Sequence, residues 1–147
     1  HNEKMKIKLE VDIDPHPLNR FESKLVLNPT TFYVLTLYKS DLFAGKMAAI
    51  LFRVWKGRDW YDLVWYVQNK VPLSLAYLES CMKQSGNLKP NESLTKKKLL
   101  SMLSEKIHSI DWEDAKSDMR SFISDPKRLD IWSPSFFLGV IEHLLIE

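Results

Sequence analysis

Residues 40–67 read SDLFAGKMAAILFRVWKGRDWYDLVWYV, and this stretch decides the fold. Apolar side chains recur every three or four residues, the spacing that places them on one face of an α-helix. Ser40 suits the N-cap position and Asp41 suits the first turn. We therefore predict a helix over about 41–54 with the apolar face Leu42, Phe43, Met47, Ile50, Leu51 and Val54. Gly57 interrupts this pattern, and a second helix is predicted from about Asp59 with Trp60, Leu63, Val64 and Val67 as its buried stripe.

The chain beyond Pro72 repeats the helical pattern. A third helix is predicted over 74–86, where Gly86 ends it. The stretch NLKPNES at 87–93 is typical of a linker, because it combines Asn, Pro and Ser. Three further amphipathic patterns predict helices, separated by short breaks, over 94–110, 111–124 and 133–147.

The first forty residues have the spacing of β-strands instead. Residues 4–14, KMKIKLEVDID, alternate apolar and charged side chains, which predicts a strand with Met5, Ile7, Leu9, Val11 and Ile13 on its buried face. The run TTFYVLTLY at 30–38 predicts a second strand, and residues 25–27 a short third one. The order of these elements predicts an α+β fold, in which a short antiparallel sheet element is followed by a helical bundle.

Length and composition set the outer limits. With 147 residues the chain suits one domain over 1–147, with a strand-rich part at 1–39 and a helical bundle at 40–147. A formal net charge of +2 does not by itself indicate nucleic-acid binding. The single cysteine, Cys81, excludes an internal disulfide, so a reducing cytoplasm is the expected location. No apolar run approaches the roughly 18 residues of a membrane helix.

Three acidic residues follow one another on the charged face of the first predicted strand. Glu10, Asp12 and Asp14 are two residues apart, so they project in the same direction and could bind a divalent cation. The alternative is a solvated strand face, which the lysines on the same face make less acidic. Alternation alone does not decide between the two interpretations.

A second group of charged residues lies at the junction of the two helices. Lys46 and Arg53 are seven residues apart, nearly two helical turns, so both could face a polyanion such as a triphosphate. Asp59 and Asp62 share one helix face, and Arg58 stands beside them. The alternative is an ion-pair network that only fixes the two helices against each other.

Three strings taken together carry a resemblance: KIKLEVDIDPHP at 6–17, LFAGKMAAILFR at 42–53 and KGRDWYDLVWYV at 56–67. They resemble the AbiEii/AbiGii-type toxin family of nucleotidyltransferases. In that family an acidic motif late in a strand precedes a helix of the form L-x-A-x-K-x-x-A-x-x-x-R, and an R-D-x-x-D-L segment opens the next helix. The matching positions are Glu10, Asp12, Lys46, Arg53, Arg58, Asp59 and Asp62.

The resemblance implies the C-terminal part of a DNA-polymerase-β-like nucleotidyltransferase. Such an enzyme is the toxin of a toxin–antitoxin system used in phage abortive infection. It transfers a nucleotide from a nucleoside triphosphate, with Mg²⁺, to an RNA acceptor such as tRNA or to a protein acceptor, and an antitoxin protein is its expected partner.

The resemblance also implies roles for individual residues. Glu10 and Asp12 would be metal ligands, and both would be catalytic together with Lys46 and Asp59. The nucleotide would be bound by Lys46, Arg53, Arg58 and Asp62. Two-metal phosphoryl transfer needs carboxylates on a rigid strand and cations over the phosphates, so this assignment is chemically consistent.

One family motif is missing from the sequence. The Gly-Ser pair followed by Asp-x-Asp does not occur, and the only Asp-x-Asp, at 12 and 14, stands where the later acidic motif belongs. We therefore expect either a C-terminal portion of a longer enzyme, the interpretation we favour, or a degenerate relative, and in both cases a polypeptide that is inactive alone. The alternative is a non-catalytic binding module that recognises an antitoxin or RNA, with its charged residues paired to one another.

Overall fold

The computed structural model describes Leu9, Val11 and residues 18–147. In this part of the chain two strands precede six helices, which confirms the predicted α+β class. The elements are β1 (Phe21–Val26), β2 (Phe32–Leu37), α1 (Lys39–Phe52), α2 (Gly57–Gln68), α3 (Leu75–Gln84), α4 (Lys96–Ser109), α5 (Trp112–Arg120) and α6 (Pro134–Glu142), with a 3₁₀ turn at Pro126–Leu129.

The two strands form an antiparallel hairpin in which Phe21 is opposite Leu37 and Val26 is opposite Phe32. β2 confirms the strand predicted at 30–38. β1 is longer than the predicted 25–27, because its pairing with β2 extends back to Phe21. Glu22 and Lys24 within it form a salt bridge at 2.8 Å. Two strands alone cannot bury many apolar side chains against each other. Several apolar side chains of the hairpin are accordingly exposed, including Phe21, Leu25, Phe32, Tyr33 and Leu35.

The strand predicted at 4–14 lies mostly outside the described residues, and so do Glu10, Asp12 and Asp14. Leu9 and Val11 belong to the described part, and both are exposed and outside regular secondary structure. The prediction that these two side chains are buried is therefore wrong, because no described element covers them.

The core lies among the helices. Its centre is an aromatic group in which the ring of Trp60 on α2 meets Trp112 on α5 at 5.1 Å and Phe137 on α6 at 5.2 Å. Trp112 and Phe137 stack at 4.3 Å, and Trp132 packs against Phe137 at 5.2 Å. These rings join three helices that are far apart in sequence, and their edge-to-face and stacked contacts are the arrangements that aromatic quadrupoles favour.

Several predicted helix ends differ from the structure. α1 begins at Lys39 with Tyr38 as its N-cap residue, so Ser40 is not the cap. Ser40 and Asp41 are buried and accept hydrogen bonds from Arg20 instead, with Arg20 Nε 3.1 Å from Asp41 Oδ2. Arg20 also bonds Glu147 at 2.7 Å, so one guanidinium ties the hairpin to α1 and to the C-terminal segment.

The helix predicted over 133–147 is shorter than expected, since α6 ends at Glu142. A turn at His143 follows it, and Ile146 forms a parallel bridge with Leu73. Leu73 donates to the Leu145 carbonyl at 2.9 Å, and Glu147 donates to the Leu73 carbonyl at 3.0 Å. These hydrogen bonds join residues more than seventy positions apart in the sequence. Helical periodicity, which is a local pattern, could not predict them.

The segment 87–93, predicted as a linker, packs on the helices. Leu88 within it and Leu94 just after it are buried. Glu79 on α3 holds the end of this loop by accepting from the Leu94 amide at 2.7 Å and from Lys83 at 2.7 Å. These two hydrogen bonds, that from Lys83 above all, lower the pKa of Glu79.

Gly57, the first residue of α2, is required by close packing against α5. A Cβ placed there would overlap the carbonyl oxygen of Ala115 and lie 2.7 Å from Met119 Cγ. The Gly57 amide also donates to Asp118 at 2.8 Å, which fixes the start of α2 on α5.

We predict that Gly57→Ala lowers the free energy of unfolding by about 1–3 kcal/mol, because the backbone of α5 must move. The matched control is Gly45→Ala in α1, where a Cβ would meet nothing within 4 Å. This control should raise stability by up to about 1 kcal/mol, the difference in helix propensity. Urea denaturation of the three proteins measures both effects, and equal stabilities would contradict the close approach of α2 and α5.

Candidate functional site

Four of the predicted site residues meet where α1 packs beside α2. α1 carries Lys46 in its middle, Arg53 follows its last residue, and α2 carries Asp59 in its first turn. The short turn between the two helices brings the facing sides together. We refer to Lys46, Arg53, Asp59 and Asp62 as the ion-pair cluster.

Lys46 lies between two carboxylates of the cluster. Its Nζ is 3.0 Å from Asp59 Oδ1 and 2.9 Å from Asp62 Oδ2. Partial burial lowers the pKa of Lys46, but the hydrogen bonds to Asp62 and Asp59 outweigh this effect and leave the pKa above its ordinary value. Lys46 is therefore a fixed positive charge at any physiological pH.

Asp59 is the buried centre of the cluster, with 2% of its side chain exposed. An ionised carboxylate at such a position is tolerated only with cations or donors beside it, and Lys46 supplies the shorter contact. Arg53 supplies a longer one, with Nη2 3.5 Å from each Asp59 oxygen. The other members reach solvent, with side-chain exposures of 25% for Lys46, 42% for Asp62 and 54% for Arg53.

A groove of about 450 Å³ opens beside the cluster, between α1 and α3. Both cations of the cluster line it, while Asp59 and Asp62 do not. The small residues Gly45, Ala48 and Ala49 also line it and leave room between the helices. We call this cavity the α1–α3 groove.

Sequence reasoning did not find the residues that α3 adds to this groove. Cys81, Ser85 and Asn87 line its far side, and they come from a helix end and a loop that carry no recognisable motif. Burial raises the pKa of the Cys81 thiol, and the Asp41 carboxylate adds to this increase. The small residues around Lys46 indicate that another element can pack closely against α1, but they do not identify α3 as that element.

Arg58 is the predicted site residue that the structure sets apart. It lines another cavity, of about 410 Å³, on the α5 side of α2, together with Tyr61, Asp62 and Phe122. Asp62 is therefore the residue that links this cavity to the ion-pair cluster. A role for Arg58 at the same ligand as Lys46 stays a prediction.

A family model described as Nucleotidyl transferase AbiEii toxin, Type IV TA system, matches residues 1–136. The chain belongs to the AbiEii nucleotidyl transferase toxin family. The matched range contains every residue of the ion-pair cluster, and it confirms the resemblance carried by the motifs at Lys46 and Asp59. No curated protein and no solved structure matches this AbiEii chain.

The described part of the AbiEii chain does not present a metal centre by itself. Within residues 18–147, together with Leu9 and Val11, no three His, Cys, Asp or Glu side chains are grouped so that they could hold a metal ion. Asp59 and Asp62 both accept from Lys46 instead. Glu10 and Asp12, the predicted metal ligands, lie outside the described residues, so their role stays a prediction.

None of the described helices is both long enough and apolar enough to cross a membrane.

We predict that the two aspartates of the cluster differ in structural importance. Asp59→Asn should lower the free energy of unfolding by about 2 kcal/mol, because a buried charge-assisted contact to Lys46 is weakened. Asp62→Asn removes a partly exposed partner and should cost less than about 1 kcal/mol. Guanidinium denaturation at neutral pH measures both, and a larger loss for Asp62→Asn would contradict the assignment of Asp59 as the anchor.

Proposed function

We propose that Lys46 and Arg53 hold the triphosphate of a nucleoside triphosphate in the α1–α3 groove of an AbiEii nucleotidyltransferase. The observation that carries this proposal is their common placement: both cations line one open groove and both contact the buried Asp59. A triphosphate needs cations held in position before it arrives, since flexible lysines and arginines lose conformational entropy on binding.

Asp59 has a positioning role in this proposal. Its carboxylate lies within 3.5 Å of both cationic groups and is shielded from solvent. It can therefore hold the two side chains at the groove without competing for the ligand from within the groove. Asp62 orients Lys46 from the more exposed side.

The two cations have complementary chemistry. The Lys46 ammonium is a point charge with three donors, and two of its contacts are already made by the cluster. Arg53 is more exposed, its contacts to Asp59 are long, and its guanidinium has five donors in a planar fork. Arg53 thus has the larger free capacity for phosphate oxygens, and Lys46 the more rigid position.

The remaining parts of the reaction are proposed from family membership. We propose that Glu10 and Asp12 help to bind Mg²⁺, which in nucleotidyl transfer neutralises charge on the phosphates. A Gly-Ser pair followed by a second Asp-x-Asp, a combination that this sequence lacks, would complete that centre, so the 147 residues are not expected to transfer nucleotides alone. The acceptor would be an RNA such as tRNA, or a protein. The enzyme would act in the cytoplasm as a toxin of phage abortive infection, opposed by an antitoxin.

A second function is favoured by the charge balance of the cluster. Lys46 and Arg53 contribute two positive charges, and Asp59 and Asp62 contribute two negative ones, so the four residues neutralise one another. In this alternative the chain is a non-catalytic binding module for an antitoxin or RNA, and the cluster only fixes α1 to α2.

Nucleotide binding distinguishes the two functions. We predict that Lys46→Met and Arg53→Met each weaken binding of a fluorescent nucleoside triphosphate at least tenfold, which corresponds to about 1.4 kcal/mol. Each of the four common nucleotides is titrated against this chain, and toxicity is measured in a protein that carries the complete motif set. Lys97→Met is the matched control, since Lys97 is exposed on α4 and lines neither the groove nor the cluster.

Melting temperatures separate a binding effect from unfolding. Lys46→Arg keeps the charge beside Asp59 and serves as the second variant if Lys46→Met is unstable. Wild-type nucleotide affinity and toxicity in a folded Lys46→Met protein would overturn the proposal and leave the binding module as the better description.

A further inference from the structure

A second groove lies between α2 and α6, away from the ion-pair cluster. Its volume is about 780 Å³, and its apolar lining comes from Val64 and Val67 on α2, Phe136, Gly139 and Val140 on α6, and Leu145 beyond it. We call it the α2–α6 groove. No role in nucleotide transfer has been assigned to any of these residues.

The apolar surface continues beyond this groove. A neighbouring cavity of about 320 Å³ shares Val64, Gln68 and Phe136 with it and adds the exposed side chains of Trp65 and Ile131. The two cavities therefore form one strip along α2. Large contiguous apolar surfaces that face solvent mark interaction sites in soluble proteins.

Gly139 is unexplained by the packing of the described residues. It lies inside α6, where glycine costs about 1 kcal/mol relative to alanine. A Cβ at this position would meet nothing within 4 Å, so no described neighbour requires a glycine. A missing side chain at the wall of a groove allows the backbone of another molecule to come close.

The charged side chains that line the strip are the cations Lys70 and Arg128. The imidazole of His143 also lines the groove, and no aspartate or glutamate lines either cavity. Within residues 18–147, Lys70 forms no salt bridge, and Arg128 has only a 3.8 Å contact with Asp125. A ligand that covers the apolar strip would therefore gain from carrying carboxylates at its edges.

We propose that the α2–α6 groove binds an amphipathic helix of a protein partner, with apolar residues on one face and acidic residues along its borders. Two helices with an apolar cleft between them are the receptor arrangement of helix-in-groove recognition. Gly139 allows the partner helix to approach α6, and Lys70 and Arg128 pair with its acidic borders.

The proposed partner would bind the opposite face of α2 from the ion-pair cluster. At 100° per residue, Val64, Val67 and Gln68 lie on the side of α2 away from Asp59 and Asp62. A helix bound in the α2–α6 groove therefore leaves the α1–α3 groove open. This inference does not depend on nucleotide binding at Lys46.

Two synthetic helical peptides test the proposal. Both carry the same leucines at helical spacing, but one is bordered by glutamates and the other by lysines. Each is titrated into isotopically labelled protein. The glutamate peptide should shift the amide resonances of Val67, Gly139 and Val140, and it should bind at least tenfold more tightly than the lysine peptide.

Two variants of the groove should weaken binding of the glutamate peptide at least tenfold while the protein remains folded. Gly139→Leu fills the groove, and its control is Ser101→Leu, which places the same side chain at an exposed position of α4 that lines neither groove. Lys70→Glu reverses the charge at the border, and its control is Lys97→Glu.

Four results would overturn the proposal: equal affinity of the two peptides, failure of the glutamate peptide to bind, wild-type affinity in both groove variants, or resonance shifts confined to another surface. Sedimentation measurements test a different occupant. A dimer that Gly139→Leu converts to a monomer would assign the groove to a second copy of this chain. Stronger binding to phosphatidylserine vesicles than to the glutamate peptide would assign it to a lipid surface.

Discussion

The carboxylate of Asp59 is almost completely enclosed by protein, and such a charge requires cations beside it. Lys46 and Arg53 meet this requirement from α1, so the position of α2 along α1 is set by electrostatics as well as by apolar contact. The next residue, Trp60, is buried at the centre of the aromatic group that joins α5 and α6. One turn of α2 therefore connects the charged cluster to the hydrophobic core.

This arrangement explains which parts of the fold are readable from the sequence. Helices α1 to α4 lie close to the ranges that their apolar periodicity predicts, because each buries one face against a neighbour. α5 ends at Arg120, before the predicted 124, and Val54, predicted on the apolar face of α1, lies beyond that helix and is exposed. The beginning of β1 and the bridge between Leu73 and Ile146 depend on partners distant in the chain. The end of α6 at Glu142 has the same origin, since the following residues bond to Leu73 rather than continue the helix.

The site shows the same division. An ion-pair network between the two helices is one of the two interpretations that residue type and spacing allow, and the structure contains such pairs: Lys46 with Asp59 and Asp62, and Arg53 with Asp59. The α1–α3 groove cannot be predicted from the sequence in this way, because its far wall is formed by Ser85 and Asn87, just after the end of α3. Arg58 illustrates the converse: it directly precedes Asp59, yet the helical turn directs it to a different cavity. Adjacency in a motif does not place two side chains on one ligand, since consecutive helical residues project about 100° apart.

The bond from Arg20 to Glu147 has a consequence for the order of assembly. It joins residues 127 positions apart, beside the bridge between Leu73 and Ile146. Contacts of such long sequence separation form only after the intervening chain is compact. During synthesis Arg20 therefore lacks its Glu147 partner until residue 147 has emerged. Nascent chains that stall before this point lack both this ion pair and the bridge to Leu73, and such partly folded chains are the species that chaperones bind.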